Sequence, residues 1–384
     1  MLVPVLVRDR QANAIGSLKK EDFQIFDDNK PQTVTGFSIQ RRSAIQSEGG
    51  PVNTTGSVSR NPPPSSVPER FIVFLFDDMH LSLGDLVQTQ KAGINMLARS
   101  LSDSDMAAVV SSSGRINSGL TRDRTELQAA IMKLQPVGLY RASGEECPNL
   151  DYYHADLIEN KHNSTALEAA INETLSCSPG LQARDVAERL VESSAMRVLA
   201  IGDQDVRVSL ATLRTLVRSM IPLPGQRLLV MVSPGFLILT PESRGEESEI
   251  IDMAAQSSVT VSALDARGLY TTEIDASEMI KGPGQTAQLK SEYRRNSMSL
   301  NEDVMAELAY GTGGTYFHNS NDLEGGFKRL TTAPEYLYLL EFSIKDVKKN
   351  GSYHRLKVTV HPDDLKVQAR RGYFAEKPVK QKKQ

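Results

Sequence analysis

The chain has 384 residues, with 44 Lys and Arg against 47 Asp and Glu and a formal net charge of −3. That length accommodates two or three domains at ~100–200 residues each, and 40% apolar with 24% charged residues is the balance of a folded protein, which excludes global disorder. The charge balance excludes the basic excess typical of a nucleic-acid binder or a polybasic membrane-surface protein, and the longest apolar run, Phe71–Phe76, is far short of the ~20 residues that span a membrane.

In chain order, Leu2–Val7, Asp22–Phe26 and Thr33–Ile39 read as strands, with turn residues Asp27-Asp28-Asn29-Lys30-Pro31 between the last two. These first 45 residues are too few to bury a core alone and need a partner. Residues 46–70 are dominated by Pro, Ser and Gly and read as a linker. The pattern then changes. Phe71–Phe76, Met106–Val110, Arg227–Val232 and Val259–Leu264 are short continuous apolar runs, as expected of strands covered on both faces. Arg115–Leu120 is expected to pair beside the second of them. Helical spacing appears at Leu83, Leu86, Val87, Ile94 and Leu97, again at Leu127, Ala130, Ile131 and Leu134, and through 183–221 with Val206, Leu210, Leu213, Val217 and Met220 on one face. Residues 137–182 hold both cysteines and interrupt the alternation, and the polar stretch 270–303 reads as an exposed loop. Val304–Ala309 and Leu323–Leu330 read as helices around a short strand, Thr315–His318. Strands return at Tyr336–Ile344, Tyr353–Val360 and Leu365–Ala369, with a hairpin turn at Asn350-Gly351. Lys377, Lys380, Lys382 and Lys383 read as a solvated tail.

Alternating strands and helices predict a doubly wound, mostly parallel α/β sheet. Three strands before it and three after it predict one small β-sandwich assembled from both chain ends, residues 1–45 and 333–384, with the α/β unit 71–332 inserted between them.

Several segments resemble von Willebrand factor A-type domains. FIVFLF followed by Asp78-Met79-His80-Leu81-Ser82 is similar to their first strand and D-x-S-x-S turn. The block SGLTRDRTELQAAIMKLQP resembles the strand and helix that follow. RLLVMVSPG resembles the strand that ends in Ser/Thr-Asp-Gly, and ELAYGTGGTYFHNSNDLEGGFKRL the closing helix–strand–helix. The flanks DFQIFDDNKPQTVTGFSI and LKVQARRGYF, with CPNLDYYHADLIENK and LPGQRLLVMVSPGF, resemble the related domain described from acidobacterial proteins. The resemblance implies a non-enzymatic protein-binding or adhesion module, exported to the periplasm or beyond. The absence of a signal peptide before Leu2 then implies a native start upstream of Met1 or a trimmed chain.

A-type domains hold a divalent cation at the carboxyl edge of the sheet, ligated by oxygens of D-x-S-x-S, a distant Thr and a distant Asp. The resemblance places Asp78 and Ser82 at two of these positions and His80 where the first Ser belongs. Oxygen ligands suit Mg²⁺ or Mn²⁺, whereas an imidazole suits Mn²⁺ or Zn²⁺. Thr165 stands in a Thr-before-helix context. Pro234 replaces the distant Asp, and Asp265 is a substitute for it. The partner-binding face would include Asp77, Ser233 and Gly235. Asp78 and Ser82 equally suit the cap of a helix starting near Leu83, so a degenerate cation site and a plain helix start are both open.

Other signals are weaker. Gly311-Thr312-Gly313-Gly314 follows a helix and precedes a strand, the reverse of a dinucleotide loop. Ser233 lacks the first glycine of a hydrolase elbow. His154 and His162 sit in a polar segment. Cys147 and Cys177 form no metal or redox motif, and the exported look of the family implies a disulfide between them. Two further readings stand beside adhesion: a metal-free structural module of an envelope assembly, and a metal-dependent hydrolase using Asp77, Asp78 and His80.

Overall fold

The computed structural model describes residues 1–9, 14–41, 70–137, 147–178, 180, 181, 183–269, 284–331, 336–343, 352–362 and 364–375. The expected linker, the Asn350-Gly351 turn and the lysine tail lie outside them, as do residues 138–146 of the insertion.

The amino-terminal end contributes β1 (Leu2–Arg8), β2 (Phe23–Asp27), β3 (Lys30–Gln32) and β4 (Val34–Arg41). Asp28 and Asn29 join β2 to β3 with φ of 45° and 65°, the two left-handed positions of a tight hairpin turn. The middle of the chain then alternates: β5 (Arg70–Phe76), α1 (Leu83–Ser100), β6 (Met106–Ser111) and α2 (Arg124–Met132). Three helices follow, α3 (Tyr152–Glu159), α4 (Ser164–Cys177) and α5 (Arg184–Met220). Next come β7 (Gln226–Ser233), α6 (Pro241–Gln256), β8 (Val259–Asp265), α7 (Gly284–Gly311), β9 (Tyr316–Phe317) and α8 (Leu323–Leu330). The chain closes with β10 (Tyr336–Phe342), β11 (Tyr353–Val360), β12 (Lys366–Ala369) and β13 (Gly372–Phe374).

β5 to β9 form a parallel sheet in the order β6-β5-β7-β8-β9. The six residues of FIVFLF are all buried because both faces are covered. Ile72, Phe74 and Phe76 pack beneath α1, α2 and α8, and Val73 and Leu75 beneath α5, α6 and α7. The ends of the chain pair with each other in two antiparallel sheets, β12-β1-β10-β4 and β13-β11-β2-β3. Val3, Val5, Phe23, Ile25, Tyr338, Leu340, Phe342 and Leu356 fill the space between them. The inserted α/β unit and the sandwich from both ends are thus both present.

Two local expectations change, and a third holds in looser form. Residues 284–303 are helix rather than loop. Gln285 to Leu300 contains no Gly or Pro and many good helix formers, and Leu289 and Tyr293, one turn apart, seat this polar helix against the helical insertion. Residues 115–121 do pair beside β6, through antiparallel bridges at Asn117 and Thr121. On α1 the buried stripe is Leu86, Thr89, Gly93, Met96 and Leu97, while Leu83 and Val87 are 61% and 55% exposed.

The insertion folds as a lobe with its own core. Leu150, Ala155, Ala166, Ile171, Ala187 and Val191 pack together among α3, α4 and the first half of α5. Cys147 and Cys177 are disulfide-bonded, with Cα atoms 6.3 Å apart, and tie the entry of the lobe to the end of α4. α5 is 37 residues long, about 56 Å at 1.5 Å per residue. Its second half covers the sheet and leads into β7, so its first half projects past the carboxyl ends of the strands and carries the lobe there. No helix of the described residues is long and apolar enough to cross a membrane.

Candidate functional site

β5 connects to β6 on one side of it, and the chain then crosses to β7 on the other. The carboxyl ends of β5 and β7 therefore flank the point where the winding reverses, the place where open α/β sheets present a crevice. Asp77 leaves β5 here and Ser233 ends β7. Asp77 is 1% exposed, and its carboxylate accepts from Ser233 Oγ at 2.6 Å. Both of its oxygens lie 2.9 Å from His80 Nδ1. Ser233 Oγ in turn accepts from the Gly235 amide at 2.9 Å. The turn needs Gly235 because its φ is +90° and a Cβ there would lie 2.8 Å from the Asn301 carbonyl oxygen.

The electrostatics follow from this geometry. Burial alone would raise the Asp77 pKa, yet the His80 imidazole and the hydroxyls of Ser233 and Ser112 hold it below the usual carboxylate value. Burial alone would lower that of His80, yet Asp77, with Asp205 and Asp78 nearby, raises it. The two groups form a close pair in which each favours the charged form of the other, with the His80 side chain 22% exposed and its ring stacked on Phe236 at 5.8 Å. Asp205 comes from the midpoint of α5, where the helix passes from sheet to lobe. Its Oδ1 and the Ser209 hydroxyl are buried without hydrogen-bond partners, and burial raises the Asp205 pKa.

The residues expected to hold a cation face different partners. Asp78 accepts from the Ser113 amide at 2.9 Å and the Ser113 hydroxyl at 2.6 Å. Ser82 is the N-cap of α1, accepting from the Asp85 amide and donating to the Asp85 carboxylate at 2.7 Å. His80 is engaged with Asp77. Asp265, the substitute for the missing acid, is gripped by Arg267 through Nε and Nη2 at 2.9 and 2.7 Å. Thr165 lies in the first turn of α4, within the lobe, on a surface groove with Glu168 and Leu289. Asp78, His80 and Ser82 thus share one edge, each engaged with a different partner there. Of the two readings of this segment, the structure shows Ser82 as the helix cap, while Asp78 braces the β6 turn instead. Asp77, Ser233 and Gly235 are buried; they hold the face together beneath exposed neighbours.

Among the described residues, one group of three metal-ligating side chains has atoms all within 4.8 Å of one another: Asp27, Asp28 and His354. It could hold a divalent cation, and it lies in the sandwich rather than at the sheet edge. His354 Nδ1 is 3.0 Å from Asp27 and 3.4 Å from Asp28, and Tyr373 donates to the other Asp27 oxygen at 2.8 Å. In the sequence Asp27 and Asp28 carry only a turn signal, and His354 lies 326 positions beyond Asp28. Only the pairing of β2 with β11 unites them.

Among the described residues the edge has no complete catalytic constellation. Asp77 stands between Ser233 and His80, so the serine hydroxyl is spent on a carboxylate and the imidazole cannot take its proton. A comparison of the chain with protein-family models and with curated proteins finds no match. Fold and site together define a doubly wound α/β unit carried on a β-sandwich, with an acidic–histidine cluster at its switch point.

Proposed function

We propose that this chain is a protein-binding module of von Willebrand factor A type, acting outside the cytoplasm through the carboxyl edge of its parallel sheet. Residues 71–332 form the binding unit, with the 137–182 insertion as part of its rim; residues 1–45 and 333–384 form its carrier, joined through the 46–70 linker. The observation that carries the reading is the exposure of Leu83 and Val87. They lie four residues apart in the opening turns of α1, next to Ser82 and His80, where the helix could as well present polar residues. A partner landing there covers this apolar pair and meets the His80 imidazolium. The positive charge that a cation supplies in the family is supplied here by that side chain, so binding needs no metal at Asp78, His80 and Ser82. The Cys147–Cys177 disulfide supports an oxidising compartment.

A photo-crosslinking residue placed at Leu83, with Ile221 at the opposite edge as control, tests the face. In an extract of the native compartment, position 83 yields a saturable adduct that unlabelled protein competes away and a Leu83→Glu, Val87→Glu competitor does not. Equal adducts from both positions would refute the proposal. The cation-free part is tested by thermal unfolding in EDTA against excess Mg²⁺, Mn²⁺ or Zn²⁺. A bound ion at 100 times its Kd adds ~2.7 kcal/mol, so a rise in midpoint that disappears in Asp78→Ala would show a working cation site.

A further inference from the structure

Apart from the Asp77–His80 cluster, a cavity of about 530 Å³ opens where α6 and α7 meet the sandwich at β11 and the β12–β13 corner. Its wall carries four guanidinium groups. Arg370, only 2% exposed, is held by Asp252, the Ser248 hydroxyl and the Gly372 carbonyl, and Arg371 pairs with Asp303 at 2.6 Å. The side chains of Arg244 and Arg355 are not neutralised in this way. Arg244 has one long contact of 3.6 Å with Glu247, and Arg355 is exposed on β11, where it uses its backbone amide on Asp28. Glu247 is 2% exposed, and its Oε1 is buried with no hydrogen-bond partner. A buried orphan oxygen costs stability unless something outside the chain satisfies it.

The charge state decides what that is. Burial, then the nearby Glu307, pushes the Glu247 pKa up to about 8 despite Arg244 and Arg370, so near neutral pH the group is a carboxylic acid with a proton to donate. Glu307 is itself raised by burial and accepts from Tyr353 at 3.4 Å. Arg244 faces Glu307 as well as Glu247; with Glu247 protonated, the four guanidinium groups still outnumber the carboxylates of Asp252, Asp303 and Glu307, which leaves the cavity a net attractor of anions. The remaining wall is apolar: Leu239, Pro241 and Ile251.

We infer that this cavity is a binding site for a small organic acid, whose carboxylate bridges Arg244, Arg355 and the Glu247 oxygen while its hydrocarbon body lies against Leu239, Pro241 and Ile251. A guanidinium fork and a protonated carboxyl are matched donors for a carboxylate, and the chain places both in the wall of one cavity with the apolar Leu239, Pro241 and Ile251. A cationic ligand would meet the excess of guanidinium groups instead. The site involves none of the carboxyl-edge residues, so it stands or falls separately from the partner-binding face.

Titration calorimetry of the whole protein at pH 7 tests it with four probes: hexanoate, succinate, inorganic phosphate and hexylamine. Hexanoate binds, and Arg244→Gln weakens it about tenfold or more. Glu247→Gln keeps the binding, because the amide still donates, but changes its pH profile. Wild-type affinity falls as pH passes about 8, when Glu247 becomes a carboxylate among Glu307, Asp303 and the arginines; the Gln variant stays level. Circular dichroism confirms that both variants are folded. Three results would each overturn the assignment: no heat from hexanoate or succinate, hexylamine binding more tightly than hexanoate, or phosphate binding as tightly with the same loss in Arg244→Gln. Wild-type-like affinity in Arg244→Gln would also do so, by placing the carboxylate elsewhere.

Discussion

Ser233 donates a 2.6 Å hydrogen bond to Asp77, and that bond ties the end of β7 to the end of β5 at the reversal point of the sheet. Asp77 is then balanced from its other side by His80. The three side chains form one unit in which the carboxylate is the hub. Removing the imidazole leaves a buried charge with hydroxyl donors only. His80→Ala is therefore expected to cost roughly 3 kcal/mol, the scale of breaking a buried ion pair. His80→Gln, which keeps a donor, is expected to cost less. Urea unfolding of the two variants checks the order; equal losses would mean that the imidazolium contributes only by packing on Phe236.

The disulfide acts on the lobe. Cys147 and Cys177 are separated by 30 residues, a loop whose closure limits the unfolded chain by ~3–4 kcal/mol on the entropy model. The lobe has its own core, distinct from those on the two sides of the sheet. Reduction is therefore expected to release α3 and α4 first. Hydrogen exchange before and after reduction reads this directly: amides of 152–177 lose protection while those of β5 and β7 keep it. Uniform loss across both regions would show that lobe and sheet unfold together.

The parallel sheet was legible because strands covered on both faces must be apolar throughout, and FIVFLF and RLLVMV have few other uses. The sandwich followed from the need of each chain end for partners. What escaped had weak local signals. β3 and β13 have three residues each, and the first half of α7 is polar because it seats on the lobe through a few apolar residues, Leu289 and Tyr293, and through polar contacts such as Lys290 with Glu173. The candidate site was half legible. Motif spacing brought Asp77, Asp78, His80, Ser82 and Ser233 to one edge. It could not show that Ser113 and Arg267 would occupy the carboxylates of Asp78 and Asp265, because those contacts depend on turn geometry. Glu247 was invisible, since one glutamate in a polar helix segment carries no sign of being buried where α6 meets the sandwich.

Two glycine substitutions should move stability in opposite directions. Gly235 combines a φ of +90° with the Asn301 backbone 2.8 Å from where a Cβ would sit. Gly235→Ala should therefore destabilise by ~2–3 kcal/mol, the left-handed penalty plus overpacking. Gly245 lies inside α6 with open space around its Cβ position. Gly245→Ala should stabilise by ~0.5–1 kcal/mol through helix propensity. Chemical denaturation of both, side by side, checks the signs; a neutral Gly235→Ala would mean that the Ser233–Gly235 turn can relax.

Glu247 makes a prediction about pH. Its folded pKa, about 8, lies above the ordinary value of 4.5. Between those values the native state holds a proton that the unfolded chain has released. Stability slopes downward with pH wherever the native state binds more protons. The contribution of Glu247 is thus fully present below pH 4.5 and lost as pH rises through about 8. Glu247→Gln removes the titration while keeping the shape. At pH 5 the variant and the parent should unfold at similar temperatures, and at pH 8.5 the variant should unfold at the higher one. The measurement is the difference in midpoint across that range. A constant difference would show that Glu247 titrates near its ordinary value, with Arg244 close enough in solution to keep it ionised.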